Sequence, residues 1–189
     1  MANYFFTSDT HFFHEKIITY SKRPYLNRDV MNKALVDNWN NVVGPKDIVY
    51  HLGDFALYKY GKELVDLVNS LNGTIIWLLG NHDKHSNKLY EACKNIYQVT
   101  HYLEQNFFVN GDQKFLVMSH YPLFRWNKSH YGSYNLHGHC HGGINHFNTG
   151  TRRYDVGVDC NNYAPIELYS LISKIDSQVD LCLDQEIYD

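Results

Sequence analysis

Short apolar runs alternate with amphipathic stretches along most of the chain, and several of the apolar runs stop abruptly at glycine, aspartate or histidine. Tyr4-Phe5-Phe6-Thr7-Ser8 and Ile48-Val49-Tyr50-His51-Leu52 are two such runs, and Thr74 to Leu79, rich in β-branched residues, is a third. Each reads as a buried strand. Between the first two, Arg28 to Val43 carries Val30, Met31, Leu35, Trp39 and Val42-Val43 at mixed three- and four-residue spacing. That spacing predicts an amphipathic helix, stopped by Gly44-Pro45. Lys62 to Leu71, with Leu64, Leu67-Val68 and Leu71, predicts another, ended by Asn72-Gly73. Strand–helix–strand order with short connections implies parallel neighbours joined by right-handed crossovers.

Further along, Lys88 to Asn95 reads as a short helix and Tyr97 to Leu103 as a strand. Phe107-Phe108-Val109 and Lys114 to Ser119 flank Asn110-Gly111-Asp112, a hairpin signal. Asp155 to Asp159 alternates as a further strand, and Pro165 opens a helix in which Leu168, Leu171-Ile172 and Ile175 are spaced for packing. The tail from about 176 to 189 carries no pattern that assigns it. The expectation is an α/β fold in one domain spanning 1–189, a length sufficient to bury roughly 70% of the unfolded surface.

Composition narrows the function classes. A net charge of -3 argues against tight non-specific binding of duplex nucleic acid, which relies on many basic side chains. No apolar run approaches the length of a membrane span. The N-terminus lacks a basic region and runs straight into the first strand, so no signal peptide is expected. Cys93, Cys140, Cys160 and Cys182 form no Cys-x-x-Cys pair, which disfavours structural zinc or a disulfide framework and suggests a reduced, cytoplasmic protein. The 12 histidines are more informative than the 16 tyrosines, because neutral imidazole is the commonest transition-metal ligand.

The candidate chemistry sits at the ends of the apolar runs. These end in Asp9-x-His11, Gly53-Asp54, Gly80-Asn81-His82-Asp83, His120 and Gly138-His139-x-His141. A strand that stops at glycine delivers the next side chains to the carboxyl edge of a sheet, where α/β proteins place their sites. Alone, Gly-Asn-His-Asp also reads as a turn, and Asp-x-His as a strand end with a surface histidine. His14 and Glu15 either join the site or simply start a helix. His137, His139 and His141 alternate, but Gly138 separates the first from the other two. Arg23, on the loop before the first long helix, and Arg125, beside Trp126, are candidate phosphate contacts, although loop arginines are usually solvated or packed. Mixed aspartate, asparagine and histidine ligands suit Mn, Fe, Zn or Ni.

Taken together and in this order, the five motifs resemble those of the calcineurin-like metallophosphoesterase superfamily, and the match spans Asp9 to His141. The linkers are short, leaving no room for a separate cap domain. The arginine common in that family after Gly-Asp is not obvious here, where Phe55-Ala56-Leu57 follows. The resemblance implies a two-sheet α-β-β-α sandwich binding two divalent metal ions, with Mn²⁺ favoured and Fe, Zn or Ni as alternatives. It implies one metal held by Asp9, His11, Asp54 and His141, and a second by Asp54, Asn81, His120 and His139, with Asp54 bridging. It further implies that a hydroxide shared by the metals attacks phosphorus directly. His82 would then stabilise the transition state or protonate the leaving oxygen, with Asp83 orienting its ring.

The expected function is hydrolysis of phosphate esters, with phosphodiesters or nucleotides favoured because a site without a cap suits an organic-flanked phosphate. Two other readings are a polynucleotide nuclease and a non-catalytic metal-binding scaffold on the same fold. The net charge and the lack of an accessory domain weigh against the first. The intact His82, His139 and His141 weigh against the second. The partner expected is a small phosphoester or nucleotide, with no membrane; the sequence leaves oligomeric state open.

Overall fold

Alternation along the first strand sets the layers. In the computed structural model, which describes residues 2–186, Phe5 and Phe6 of β1 (Tyr4–Thr7) enter different cores. Successive strand side chains point to opposite faces, so one strand serves both. β2 (Ile48–His51) and β3 (Thr74–Leu78) repeat the division. Val49, Ile75 and Trp77 pack on the helical side, whereas Tyr50, Ile76 and Leu78 face the second sheet.

These strands and β4 (Ile96–Thr100) run parallel in the order β4-β3-β2-β1, and β9 (Ile166–Glu167) adds an antiparallel edge beside β1. The helical side is covered by α1 (Glu15–Tyr20), α2 (Arg28–Val42), α3 (Lys62–Asn69) and α4 (Ser86–Ala92). In α2, Met31, Leu35 and Trp39 recur every four residues and are buried, while Val30 and Val42 are exposed. Its start is fixed by the Asn27 side chain, which accepts from Asp29 N (3.1 Å) and Val30 N (2.9 Å).

The second sheet has the order β5-β6-β7-β8, from β5 (Tyr102–Val109), β6 (Asp112–Ser119), β7 (Tyr134–His137) and β8 (Arg153–Asp155). Asn110 (φ 54°) and Gly111 (φ 88°) form the two-residue turn between β5 and β6, with both central residues left-handed as that hairpin requires. Phe107, Leu116, Met118 and Leu136 meet the first sheet, and α5 (Leu168–Glu186) adds Leu168, Leu171, Ile172 and Ile175 to the same core. On the other face, Val117, Asn135 and His137 are buried beneath loops: Leu123 N donates to Asn135 Oδ1 (3.2 Å), and Asn148 approaches His137 (3.4 Å). The arrangement is the expected two-sheet sandwich.

Four expectations need correction. The strand expected over Tyr97–Leu103 is cut at His101, where the chain leaves the first sheet for the second; an apolar pattern reports a buried face but not which sheet supplies it. The helix expected over Lys88–Asn95 starts two residues earlier and ends at Ala92. Of the strand expected over Asp155–Asp159, only Asp155 is in a strand, because its own carboxylate accepts from Gly157 N (2.8 Å) and turns the chain into a 3-10 turn at Val158–Cys160. The residues after Pro165 first pair with β1 as β9 before the helix begins. The tail left unassigned continues α5 as far as Glu186; residues 187–189 and the Cys182 side chain lie outside the described residues. Cys93, Cys140 and Cys160 are free thiols. Among the described residues no helix is long and apolar enough to cross a membrane.

Candidate metal centre

Register brings the strand ends together. Thr7 pairs with His51 and His51 with Trp77, so β1, β2 and β3 finish level on one sheet edge. Beyond the strands the chains stay side by side: Asp9 N donates to Gly53 O (2.9 Å) and His11 N to Asp54 O (3.0 Å). In the second sheet Gly138 N donates to His120 O (3.0 Å), and Val158 N donates to Ser8 O (3.0 Å), tying the two sheets together at this end.

Two groups of ligand-type side chains result. Asp9, His11 and His141 present atoms that all lie within 4.8 Å of one another, and Asp54, His120 and His139 form a second such group. Asp54 Oδ2 lies between them, 3.5 Å from His11 Nε2 and 3.6 Å from His120 Nε2. Asn81 Oδ1 is 3.1 Å from His120 Nε2, at the edge of the second group. All seven positions read from the sequence as metal ligands therefore converge.

Several of these rings and carboxylates are aimed by neighbours that use their other atoms. Asp9 Oδ2 accepts from Ser8 Oγ and from His139 N (2.9 Å), while Oδ1, a weaker acceptor from the same N–H (3.2 Å), lies toward His11 Nε2 (4.0 Å) and His141 Nε2 (3.9 Å). His120 Nδ1 donates to Leu52 O (2.8 Å), and His141 Nδ1 is held by Asp159 Oδ2 (2.6 Å). Such bonds fix the tautomer that leaves Nε2 with a lone pair. Nε2 of His11 is buried with no hydrogen-bond partner. A buried ring nitrogen without a partner is costly unless something electrophilic meets it. Together with the oxygen and nitrogen donor set, this fits a divalent transition metal.

Charge balance points the same way. Burial pushes the Asp9 carboxyl up to about 7, Ser8 and His141 pull it back, and the carboxylates of Asp155 and Asp54 push it further. Burial also holds His11, His120 and His139 below the ordinary histidine value. For His141 burial acts in the same sense, but Asp159 and Asp9 outweigh it and raise the ring. A buried Asp9 carboxyl driven toward neutrality beside the depressed imidazoles of His11, His120 and His139 is short of positive charge, which a cation supplies.

The backbone is unusual here. Asp9 (φ 56°), His11 (48°), Asp54 (55°), His139 (69°) and His141 (47°) are all left-handed. Non-glycine residues seldom adopt this region, and it recurs at functional sites. Two glycines are required by close approach: a Cβ on Gly138 would overlap Ser8 Oγ and Asp9 Oδ2, and one on Gly80 would lie 2.5 Å from Asp54 N.

The remaining expected residues separate. His82 stands at the rim, its ring partly exposed and 3.9 Å from Asp54 Oδ2, while its backbone N–H donates to Asp54 Oδ1 (2.9 Å). Asp83 does not orient that ring. Its Oδ2 accepts from Asp54 N (2.8 Å), Gly80 N (2.8 Å) and Trp77 Nε1 (3.2 Å), and its Oδ1 from Phe55 N (2.8 Å). Arg23 is not available to a phosphate either. It is buried, with Nε and Nη2 on Asp159 (2.8 Å each), Nη2 also on Asp9 O (2.7 Å) and Nη1 on Thr10 O (3.0 Å). Arg125 is exposed on the loop after β6 and makes no hydrogen bond or ion pair among the described residues.

Sequence reasoning missed Asp159, which joins Arg23 to His141. Its only signal was an aspartate following Gly157-Val158 near a strand end. It also missed His51, buried with Nε2 on Thr10 Oγ1 (3.0 Å), which donates in turn to Phe55 O (2.7 Å). His14 occupies the N-cap position of α1 without a side-chain capping hydrogen bond and belongs to neither ligand group, although its Nδ1 lies 3.3 Å from His11 Nδ1.

Comparison with known proteins agrees with this geometry. A family model described as calcineurin-like phosphoesterase matches residues 3–162. The chain is similar to an uncharacterized protein of Methanocaldococcus jannaschii, at 37% identity over 93% of each chain. It is also similar to the gene 66 protein of Mycobacterium phage D29, at 28% identity over 93% of this chain and 98% of that protein. Among solved structures, a protein of unknown function from Aquifex aeolicus matches with a TM-score of 0.70 and 26% identity, covering 94% of this chain and 99% of that one.

Proposed function

The chain belongs to the calcineurin-like phosphoesterase family, and from this premise we propose a dinuclear hydrolase of phosphodiesters or nucleotides, with Mn²⁺ the favoured ion. Family membership and the two Asp/His groups support a metal-dependent phosphoesterase. The observation that carries the dinuclear reading is the position of Asp54 Oδ2, nearly equidistant from His11 Nε2 and His120 Nε2. Two cations sharing a site need a common anionic ligand, and one carboxylate oxygen already stands where it would serve both groups.

Asp9, His11, Asp54 and His141 would hold one ion, and Asp54, Asn81, His120 and His139 the other. Bound there, the ions supply charge neutralisation at a phosphoryl group and lower the pKa of water. The chain's own contribution is orientation. Leu52 O and Asp159 lock the rings of His120 and His141, and Ser8 and His139 N lock Asp9. The His82 ring makes no hydrogen bond among the described residues and stands at the rim, which supports a role for its N–H as donor to the leaving oxygen.

Metal-free protein reconstituted in turn with Mn²⁺, Fe²⁺, Zn²⁺ and Ni²⁺ and offered nitrophenyl monoesters, diesters and cyclic nucleotides tests the reading. Turnover on diesters, abolished by chelator and restored by the metal, is expected. No turnover with any ion would overturn it.

A further inference from the structure

The two loops that carry His120 and His141 continue past the metal centre and form an apolar cleft of about 580 Å³ between them. The loop after His120 contributes Pro122, Phe124 and Trp126 to its lining, and the loop after His141 contributes Ile144 and Phe147. Phe124 is 90% exposed and Phe147 62%. Aromatic rings left in water along one cleft are unusual for a structural purpose alone.

The cleft is built rather than incidental. Arg153 lines it and joins the two loops: Nη1 donates to Leu123 O (3.1 Å), Nη2 to Phe147 O (2.8 Å) and Nε to Asn148 Oδ1 (2.6 Å). Trp126 is pinned by its Nε1 donating to Ser133 O (3.1 Å). The guanidinium is thus consumed by structure, and the remaining lining offers flat apolar faces with hydroxyls at Ser129 and Thr151. Continuity with the metal centre runs through Tyr121, next to Pro122, whose ring meets His139 edge-on (centroids 4.6 Å) and whose hydroxyl reaches Asn81 Oδ1 (3.4 Å).

We propose that this cleft is the subsite for a nucleobase on the non-leaving side of a phosphodiester, stacked between Phe124 and Phe147 while the phosphate sits at the metal centre. The proposal rests on the phosphoesterase reading for its phosphate but not for the base, since stacking on exposed aromatic side chains is sequence-tolerant and independent of the metals. The volume falls within the usual range for small-molecule sites.

The test compares two diesters with the same leaving group, thymidine 5′-(4-nitrophenyl) phosphate and methyl 4-nitrophenyl phosphate, on Mn²⁺-loaded protein. The wild type is expected to favour the nucleoside ester in kcat/KM by about tenfold or more, the worth of one stacked base. In the Phe124→Ala/Phe147→Ala double variant that preference should vanish while the methyl ester is turned over as before; both rings are exposed, so the fold should survive. Phe124→Tyr/Phe147→Tyr should retain the preference and Phe124→Leu/Phe147→Leu should not. Preference kept by the alanine or leucine pair, or absent from the wild type, would overturn the proposal. Thymidine alone, titrated while following Trp126 fluorescence, separates the two readings. If neither ester reacts but thymidine quenches the wild type and not the alanine pair, the subsite stands and the phosphoesterase reading fails. No quench in the wild type sinks the subsite.

Discussion

Asp83→Asn should damage stability and metal binding together rather than catalysis alone. The carboxylate accepts four hydrogen bonds, three on Oδ2 and one on Oδ1, from the backbone of Asp54, Phe55 and Gly80 and from the Trp77 ring. An amide in its place can still accept the three with its oxygen, but its NH₂ then opposes Phe55 N–H. A hydrogen bond to a charged acceptor contributes about 1.5–3 kcal/mol, and a buried donor left unpaired costs about 1–3 kcal/mol. Burial raises the Asp83 pKa, against the pull of the Gly80 and Phe55 amides, so part of that loss is offset when the charge is removed. A net loss of about 2–4 kcal/mol is expected, lowering Tm by roughly 5–15 °C at this chain length. Differential scanning calorimetry on metal-free protein measures it without interference from the ions. Elemental analysis should show reduced metal, because the released group, Phe55 N, is next to Asp54, and Asp54 N now donates to a neutral acceptor. A variant with unchanged Tm and full metal content that lost turnover alone would refute this account and restore a direct role beside His82.

Three further outcomes follow from the same geometry. Asp54→Asn should lose metal from both groups and with it activity, since Oδ2 faces His11 and His120 alike; two tightly held ions by elemental analysis would contradict the bridging assignment. His82→Ala should keep both metals and the fold but lose about 10²–10⁴-fold in rate, more on nucleotides than on nitrophenyl esters, because a nitrophenolate leaves without a proton; an equal loss on both, or a released metal, would end the acid role. Acid should destabilise the metal-free protein: burial lowers the pKa of His11, His14, His120, His137 and His139, and of His51 to about 3, so the unfolded chain binds more protons than the folded one below the ordinary histidine value. Asp9, raised to about 7, and Asp83 and His141, also raised, act in the opposite sense but are fewer. Tm should therefore fall as pH drops below about 6.5, and a flat or rising Tm would refute the balance.

The seven ligand-type positions were legible because each follows an apolar run directly, and a strand of known direction fixes where its next residues emerge. The parallel order of β1, β2 and β3 was legible for the same reason. Their supports were not. Asp159 lies 136 residues from Arg23, and no local pattern marks a carboxylate that will meet a guanidinium across the fold. Arg23 itself looked available because sequence shows a loop position but not that Asp9 O and Thr10 O will consume its donors. Asp83 was misassigned for a related reason: adjacency to His82 suggested a side-chain partner, whereas its partners are backbone amides that every residue carries. The break at His101 and the short β9 were hidden because both keep a periodicity consistent with one longer element.

The left-handed backbone at five of the seven ligand-type residues joins these supports to the site's chemistry. Each such residue costs of order 1–3 kcal/mol, so the surrounding structure must over-determine the conformation. The ties that do so are the ones sequence could not show. Arg23 holds the carbonyls of Asp9 and Thr10, Asp83 holds the amides of Asp54 and Phe55, and Asp159 holds the His141 ring. None of these ties runs through a metal. The orphaned His11 Nε2 and the buried Asp9 carboxyl are the groups that a bound ion would relieve. In the proposed metal centre, the ions would thus depend for their positions on buried residues remote from the phosphorus as well as on their own ligands.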